Sequence, residues 1–264
     1  MTTEQPKYTH RSVSQYNTFM RCAYKYKLER IDRVWKRPAS WLSQGLAVHK
    51  AMEEWERSSR ELTFEELLKI YEDEFTRSID EQAEETPNFD YWFGSGPYSG
   101  PVDIERRWDI GKEQLQALVD YSLSSDDKIW VAPDGTKGIE LGFEVEMGGV
   151  LVKGFIDQVV ETKMGLLVRD IKTGSMPGDA FQLATYSEAL RIMYGVKANV
   201  GDYFMGKLGK PTKPVKITSE DRADVHKAFE TLEKRIQVGD YKPNPSASVC
   251  RMCDVATSCE YRAV

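Results

Sequence analysis

The sequence contains no apolar run approaching the roughly 20 residues that a membrane-spanning helix requires. Its first residues, Met1 to Lys7, are polar and lack the apolar core of a signal peptide, so a cytoplasmic location with no membrane partner is expected. Positive charge is not in excess: 36 Lys and Arg stand against 42 Asp and Glu, giving a net charge of -6. That balance excludes a surface that binds nucleic acid everywhere and leaves room only for a local basic groove. No G-x4-G-K-[ST] phosphate loop is present, which excludes a helicase-type motor. There is no internal repeat and no low-complexity tract. Cysteine is sparse, with four residues in 264, and disulfides are not expected in a reducing cytosol.

What remains is an ordinary globular composition, 41% hydrophobic, enough for one large domain with a real core. The first half reads as helices over Ser12–Arg30, Gly45–Ser59, Phe64–Ile79 and Ile104–Leu123. Tyr16, Phe19, Ala23, Tyr26 and Ile31 mark an apolar face on the first, and Leu46, Met52 and Trp55 are apolar positions of the second. Thr86 to Pro101 is rich in Gly, Pro and Asn and reads as a loop. The period then changes. Ile139–Met147 alternates as a strand, Gly148-Gly149 is a two-residue hairpin turn, and Val150–Val160 is the return strand. Leu166–Ile171 is a short apolar strand, Asp179–Tyr194 a helix closed by Gly195, Val200–Met205 a strand, and Thr218–Val238 a long helix. Pro243-Asn244-Pro245 leads into a cysteine-bearing tail. A sheet covered by helices, preceded by a helical region, is the expected architecture.

Two basic stretches are candidate nucleic-acid contacts. One is Lys25, Lys27, Arg30, Arg33, Lys36 and Arg37, interleaved with Tyr24, Tyr26 and Trp35. The other is Lys207, Lys210, Lys213 and Lys216. Bases stack on aromatics and phosphates pair with cations, so such interleaving suits a single strand. Solvated charged faces are the plain alternative.

The most informative residues lie at strand ends. Gly154-Phe155-Ile156-Asp157 closes one apolar strand, and Asp170-Ile171-Lys172-Thr173-Gly174 closes the next. Side chains on paired strands sit about 5 Å apart. Two carboxylates at that distance repel unless a cation lies between them, and oxygen ligands suit Mg²⁺ or Mn²⁺. The Ile171 carbonyl is a further candidate ligand. Lys172 returns to the face of Asp170, where it could hold or deprotonate an attacking water or neutralise charge on a phosphorane. His49 could add an imidazole ligand, and Glu53 shares its helix face. Gln182 and Tyr186, four apart, lie on the helix after the lysine strand and are candidate catalytic residues that could reach the site or the phosphate backbone, with an exposed Gln and a core Tyr as the plain alternative. Glu144 and Glu146 share a strand face, and one is a candidate outer carboxylate. A structural salt bridge is the competing explanation for the Asp-x-Lys tripeptide alone.

Cys250, Cys253 and Cys259 form a C-x2-C-x5-C tail, and Cys22 lies far away in the first helix. Four thiolates suit zinc or a [4Fe–4S] cluster. Structural zinc usually takes two C-x2-4-C knuckles. One ligand here has no near neighbour, which leans towards iron–sulfur. Either metal would tie the tail to the first helix.

Taken in order, Ser12 to Tyr26 with Cys22, Gly45 to Glu53 with His49, Gly154 to Asp157, Asp170 to Gly174, Gln182 to Tyr186 and the tail cysteines resemble the PD-(D/E)XK nuclease superfamily, in its RecB-like branch with an iron–sulfur staple. The likeness extends to the AddB nuclease domain and to CRISPR-associated and phage exonucleases. It implies an α/β (α+β) restriction-endonuclease-like core, with a central mixed sheet flanked by helices, an N-terminal helical region and a cysteine tail stapled to the first helix. It further implies one nuclease domain over residues 1–264: a first helix in 1–44, a helical region in 45–138, a catalytic sheet in 139–240 and a cluster-binding tail in 241–264. His49, Asp157, Asp170 and the Ile171 carbonyl would bind Mg²⁺ or Mn²⁺, Lys172 would be catalytic, and Gln182 and Tyr186 would form a Q-x3-Y motif. Cys22, Cys250, Cys253 and Cys259 would hold a [4Fe–4S] cluster. The one departure is Ala23, where a proline often follows the first cysteine. The implied activity is a stand-alone metal-dependent DNA exonuclease, acting on single strands or duplex ends in recombination, repair or phage DNA processing, with a recombination or repair protein as a possible partner. The alternative is a cluster-stabilised DNA-binding or adaptor protein with a vestigial site.

Overall fold

A computed structural model describes residues 10–263. The polar stretch Met1 to Lys7 lies outside the described residues. The helices are α1 (Val13–Arg21), α2 (Ala23–Tyr26), α3 (Ser40–Arg57), α4 (Phe64–Glu85), α5 (Gly100–Ser124), α6 (Ala180–Tyr194), α7 (Ser219–Gln237) and α8 (Ala247–Arg251). The strands are β1 (Lys128–Ile129), β2 (Ile139–Met147), β3 (Val150–Thr162), β4 (Gly165–Lys172), β5 (Val200–Met205), β6 (Lys210–Pro211) and β7 (Val215–Lys216). All seven strands form one mixed sheet, ordered β1-β3-β4-β5-β6, with β2 also on β3 and β7 also on β5. β3 and β4 are antiparallel, and β4 and β5 are parallel with α6 as the crossover. This is a central mixed sheet flanked by helices, as expected of a restriction-endonuclease-like core.

The chain divides into two compact units. The larger comprises Pro38–Gly142 and Phe155–Thr218. Its core joins Ala47, Val48, Ala51, Met52 and Trp55 of α3, Leu67, Tyr71 and Phe75 of α4, and Leu115 and Leu118 of α5 with Ile171 of β4 and Phe204 of β5. Residues Leu167 through Ile171 of β4 are buried on both faces, as a strand between a parallel and an antiparallel partner requires. The pleat sends Ile171 towards α3–α5, while Val168 and Asp170 face α6.

α3 begins at Ser40, five residues before the expected start. Its N-cap, Ala39, has no side chain with which to cap, so the sequence carries no start signal there. Gly45 is a mid-helix glycine at which a Cβ would stand 3.3 Å from Thr173 Oγ1. Its lack of a side chain lets α3 approach the end of β4. Leu46 is 51% exposed, unlike Met52 and Trp55. α4 runs six residues beyond Ile79 and opens on a capping box between Thr63 and Glu66.

The smaller unit takes in the chain up to Arg37, Phe143–Gly154 and the chain from Ser219 on. The single helix expected over Ser12–Arg30 is broken at Cys22, whose backbone is extended (φ -161°), and it ends in a π-turn over Lys27–Ile31. Cys22 therefore stands clear of both helices. Phe19, Tyr26 and Tyr241 pack ring to ring, with centroids 5.4 to 6.5 Å apart. Gly148 and Gly149 both take left-handed φ, 62° and 73°, as a tight hairpin of this twist demands. Arg11 pairs along the hairpin strand at Val152 and forms an ion pair with Glu233 of α7 at 2.7 Å.

Candidate active site

Antiparallel register pairs Gln158 with Arg169, so the next step places Asp157 opposite Asp170. Asp157 is 8% exposed and Asp170 3%. The Ile171 N–H donates to Asp157 Oδ2 at 2.6 Å. α3 brings His49 to the same point. Its Nε2 lies 3.0 Å from the Ile171 carbonyl oxygen, and its Nδ1 lies 3.6 Å from Asp157 Oδ2 and 3.2 Å from Glu140 Oε1. One ligand-type atom each from His49, Glu140 and Asp157 lies within 4.8 Å of the others.

Glu140 is the residue that sequence reasoning missed. It sits on β2 with φ +41°, a left-handed backbone that costs a non-glycine residue of order 1–3 kcal/mol and clusters at functional sites. Strand alternation puts Glu140 on the face of Glu144 and Glu146, which was the only signal available. Glu144, the candidate favoured by sequence, pairs with Lys153 at 2.6 Å. Glu53 is held by Arg57 at 2.8 Å and Lys50 at 3.2 Å. Neither belongs to the cluster.

Lys172 Nζ donates to Gln182 Oε1 at 3.0 Å and lies 2.7 Å from Asp170 Oδ2. That approach is off the hydrogen-bonding line, so Asp170 Oδ2 is a buried carboxylate oxygen with a counter-ion beside it but no hydrogen-bond donor. The other oxygen is fully used. Asp170 Oδ1 accepts from Gln182 Nε2 at 2.6 Å and from the Tyr186 hydroxyl at 3.2 Å. Asp179 caps α6 by accepting from the Gln182 N–H at 3.1 Å, which sets the turn that aims Gln182 and Tyr186 at Asp170.

The electrostatics are those of a site short of positive charge. Burial pushes the His49 imidazolium down, but Asp157, the hydrogen bond and charge of Glu140, and Asp170 outweigh it and raise its pKa to about 10. Burial raises the Asp157 carboxyl well above the usual carboxylate range; His49 opposes this, and Asp170 and Glu140 add to it. Burial, together with the neighbouring carboxylates, also raises the Tyr186 phenol. Two carboxylates and one imidazole within reach of one another, His49, Glu140 and Asp157, are a donor set that fits a hard divalent cation, and Asp170 stands outside that group, paired with Lys172.

In the smaller unit Cys22, Cys250, Cys253 and Cys259 form no disulfide and line one small, apolar cavity with Leu28, Pro243, Pro245 and Val249. Burial raises the thiols of Cys253 and Cys259. Four thiols around one apolar cavity fit a metal cluster by donor chemistry. Two cations and one aromatic of the first basic stretch are engaged within this region. Lys25 pairs with Asp254 at 2.7 Å, Lys27 with Asp32 at 2.5 Å, and Tyr26 is fully buried.

A sheet of this order with an Asp, Asp-x-Lys and helix His at one strand end defines the class. The chain belongs to the PD-(D/E)XK nuclease superfamily, whose family model matches residues 10–260, and it is a nuclease. Among individual proteins it is similar to the "Gene 69 protein" of Mycobacterium phage D29, 45% identical over 97% of this chain and 98% of that protein. It is also similar to the "Gene 69 protein" of Mycobacterium phage L5, 42% identical over 94% and 95%. A solved structure from Eubacterium rectale, provisionally named an exonuclease, covers 97% of this chain and 89% of its own at 14% identity and a TM-score of 0.48. Among the described residues no helix is long and apolar enough to cross a membrane.

Proposed function

We propose that the protein is a Mg²⁺- or Mn²⁺-dependent DNA exonuclease of the RecB-like branch, a single nuclease domain acting on single strands or duplex ends. The observation that carries this reading is the group of His49, Glu140 and Asp157, whose ligand-type atoms lie within 4.8 Å of one another, with buried Asp170 and its ion-pair partner Lys172 on the neighbouring strand. His49, Glu140, Asp157, Asp170 and the Ile171 carbonyl hold the cation. A bound cation of this kind polarises a phosphoryl oxygen and acidifies a water at neutral pH. Lys172 presents its ammonium where negative charge grows on the phosphoryl group. Gln182 fixes Lys172 and Asp170 in one frame, and Tyr186 holds the second hydrogen bond to Asp170. These two are positioning residues, since their polar atoms are turned onto Asp170 and Lys172.

Cys22, Cys250, Cys253 and Cys259 ligate a [4Fe–4S] cluster that staples the tail to the break between α1 and α2. The role assigned to this activity is phage DNA processing, recombination or repair. The test is digestion of end-labelled single- and double-stranded DNA with Mg²⁺ and Mn²⁺ in parallel. Progressive loss from an end, abolished by Lys172→Ala, is the expected result. Binding without cleavage in either metal overturns the reading.

A further inference from the structure

Beside the cluster, the larger unit has a cavity of about 710 Å³ lined by Trp41, Arg106, Arg107, Glu113, Gln114 and Lys207, and closed by Thr173 and Gly174 just beyond Lys172. Its wall carries three cations and one carboxylate in a chain whose net charge is -6. A local field of this sign recruits an anion.

The two arginines are prepared in advance. Both spring from Asp103, whose side chain is wholly buried one turn earlier on α5. It lies 2.9 Å from Arg106 Nη1 and 3.5 Å from Arg107 Nε. Its carboxylate also accepts from Ser95 and, at 3.2 Å, from Ser40, so the acid beneath the cavity is itself locked. The Arg106 guanidinium lies 3.8 Å from the centre of the Tyr98 ring, and that of Arg107 lies 5.8 Å from Trp41. Among the described residues no hydrogen bond is made by Nη2 of either arginine. Each arginine is thus anchored through Nη1 and leaves its Nη2 as a charged donor for a phosphate oxygen.

The cavity is wired to the catalytic strand. Arg107 Nη1 donates to Gln44 Oε1 at 3.0 Å, Gln44 Nε2 to Gln114 Oε1 at 2.6 Å, and Gln114 Nε2 to the Thr173 carbonyl at 2.9 Å. Gln44 is 0% exposed and Gln114 3%, so this chain of amides is a fixed spacer. Trp41 and His49 stand eight residues apart on α3, about 12 Å along the helix.

We propose that this cavity seats one strand of DNA next to the scissile phosphate, with Arg106 and Arg107 clamping backbone phosphates, a base stacking on Trp41 and Lys207 closing the far side. The volume falls in the range of small-ligand pockets, about 300–1,000 Å³, which admits a short stretch of one strand and not a duplex. The cavity thereby sets the preference for unpaired ends. The inference rests on the nuclease reading, and its test is separable from that reading.

Binding of 5′-fluorescein-labelled dT12 and of a blunt 12-base-pair duplex is measured by anisotropy in EDTA, where nothing is cleaved. Arg107→Ala and Trp41→Ala each weaken dT12 binding about tenfold, with a much smaller change for the duplex. Arg107→Ala also lowers the slope of log K against log salt by about 0.7, the signature of one lost phosphate contact on a single strand. Unchanged dT12 affinity, or equal loss for both ligands, overturns the proposal. Lys207→Glu, at an exposed position that the fold does not need, gives the same decision if Arg107→Ala does not fold. Hydrolysis of the p-nitrophenyl ester of thymidine 5′-monophosphate by the wild-type protein with Mn²⁺ tests the chemistry alone. Its failure counts against the nuclease reading and leaves the binding result standing.

Discussion

Arg169 and Asp170 are consecutive on β4, yet the pleat gives them opposite surroundings. Arg169 makes two parallel hydrogen bonds to Asp202 at 2.8 and 2.9 Å, lies 3.0 Å from Asp127 and sits 5.2 Å from the centre of the Tyr121 ring. The guanidinium and both oxygens of Asp202 are satisfied by protein. Across the strand, Asp170 Oδ2 has the Lys172 ammonium 2.7 Å away but no aligned hydrogen bond, and its neighbours Asp157 and His49 both hold protons more tightly than usual. Both regions are buried ionic networks of similar size. The first is closed, and the second is complete only with something added. That difference, rather than burial or charge count, separates a structural ion pair from a site.

Five measurements would break or sharpen this contrast. The largest effect is expected on the open side: Lys172→Ala or Asp170→Ala should cut DNA cleavage by about 10³-fold, read as initial rates on labelled DNA. Thermal unfolding of Asp170→Asn should stay near wild type, since that change removes a buried charge from an unfinished network. On the closed side, Arg169→Leu should cost about 3–5 kcal/mol of folding free energy in urea titrations, because it strands Asp202 and Asp127. A wild-type-like midpoint there would undo the contrast.

Saturating Mn²⁺ should stabilise the wild-type protein, by about 2.7 kcal/mol at a hundredfold excess over Kd, and should not stabilise Asp157→Ala. The smallest effect is in protons. His49, raised to about 10, is protonated at neutral pH, and Asp157 is raised as well. Ligation needs both deprotonated, so metal binding releases protons and its apparent affinity rises with pH. Calorimetry at pH 7 in two buffers of different ionisation enthalpy should report net proton release, from His49 and Asp157 together. Zero release would remove His49 from the ligand set.

The legible part of the site was the part with local grammar. Asp157, Asp170 and Lys172 sit at the ends of apolar strands, and spacing alone puts Asp170 and Lys172 on one face. Gln182 and Tyr186 follow from a capped helix of period 3.6. Glu140 was not legible, because its reach to His49 depends on one left-handed residue inside β2 that no pattern marks. Nor was the cavity wall. Asp103, Arg106 and Arg107 form no motif in the sequence, and only the fold sets the buried acid beside the two bases. The start of α3 was hidden for a simpler reason, a helix beginning at a residue that cannot cap. The strands, the hairpin and the long helices were plain because each rests on periodicity over many residues.

The ring packing of Phe19 and Tyr26 against Tyr241 also has a temporal meaning. On a translating ribosome, Tyr26 emerges some 215 residues before its partner, an interval on the order of ten to forty seconds at ordinary elongation rates of about 5–20 residues per second. The core of the larger unit is drawn from Ala47 to Phe204 and is in hand well before that interval ends. The smaller unit must wait, with an aromatic pair uncovered, until the last stretch of chain is made. A chain ending between residues 186 and 241 would carry every nuclease residue named above and still lack the ring that packs against Phe19 and Tyr26.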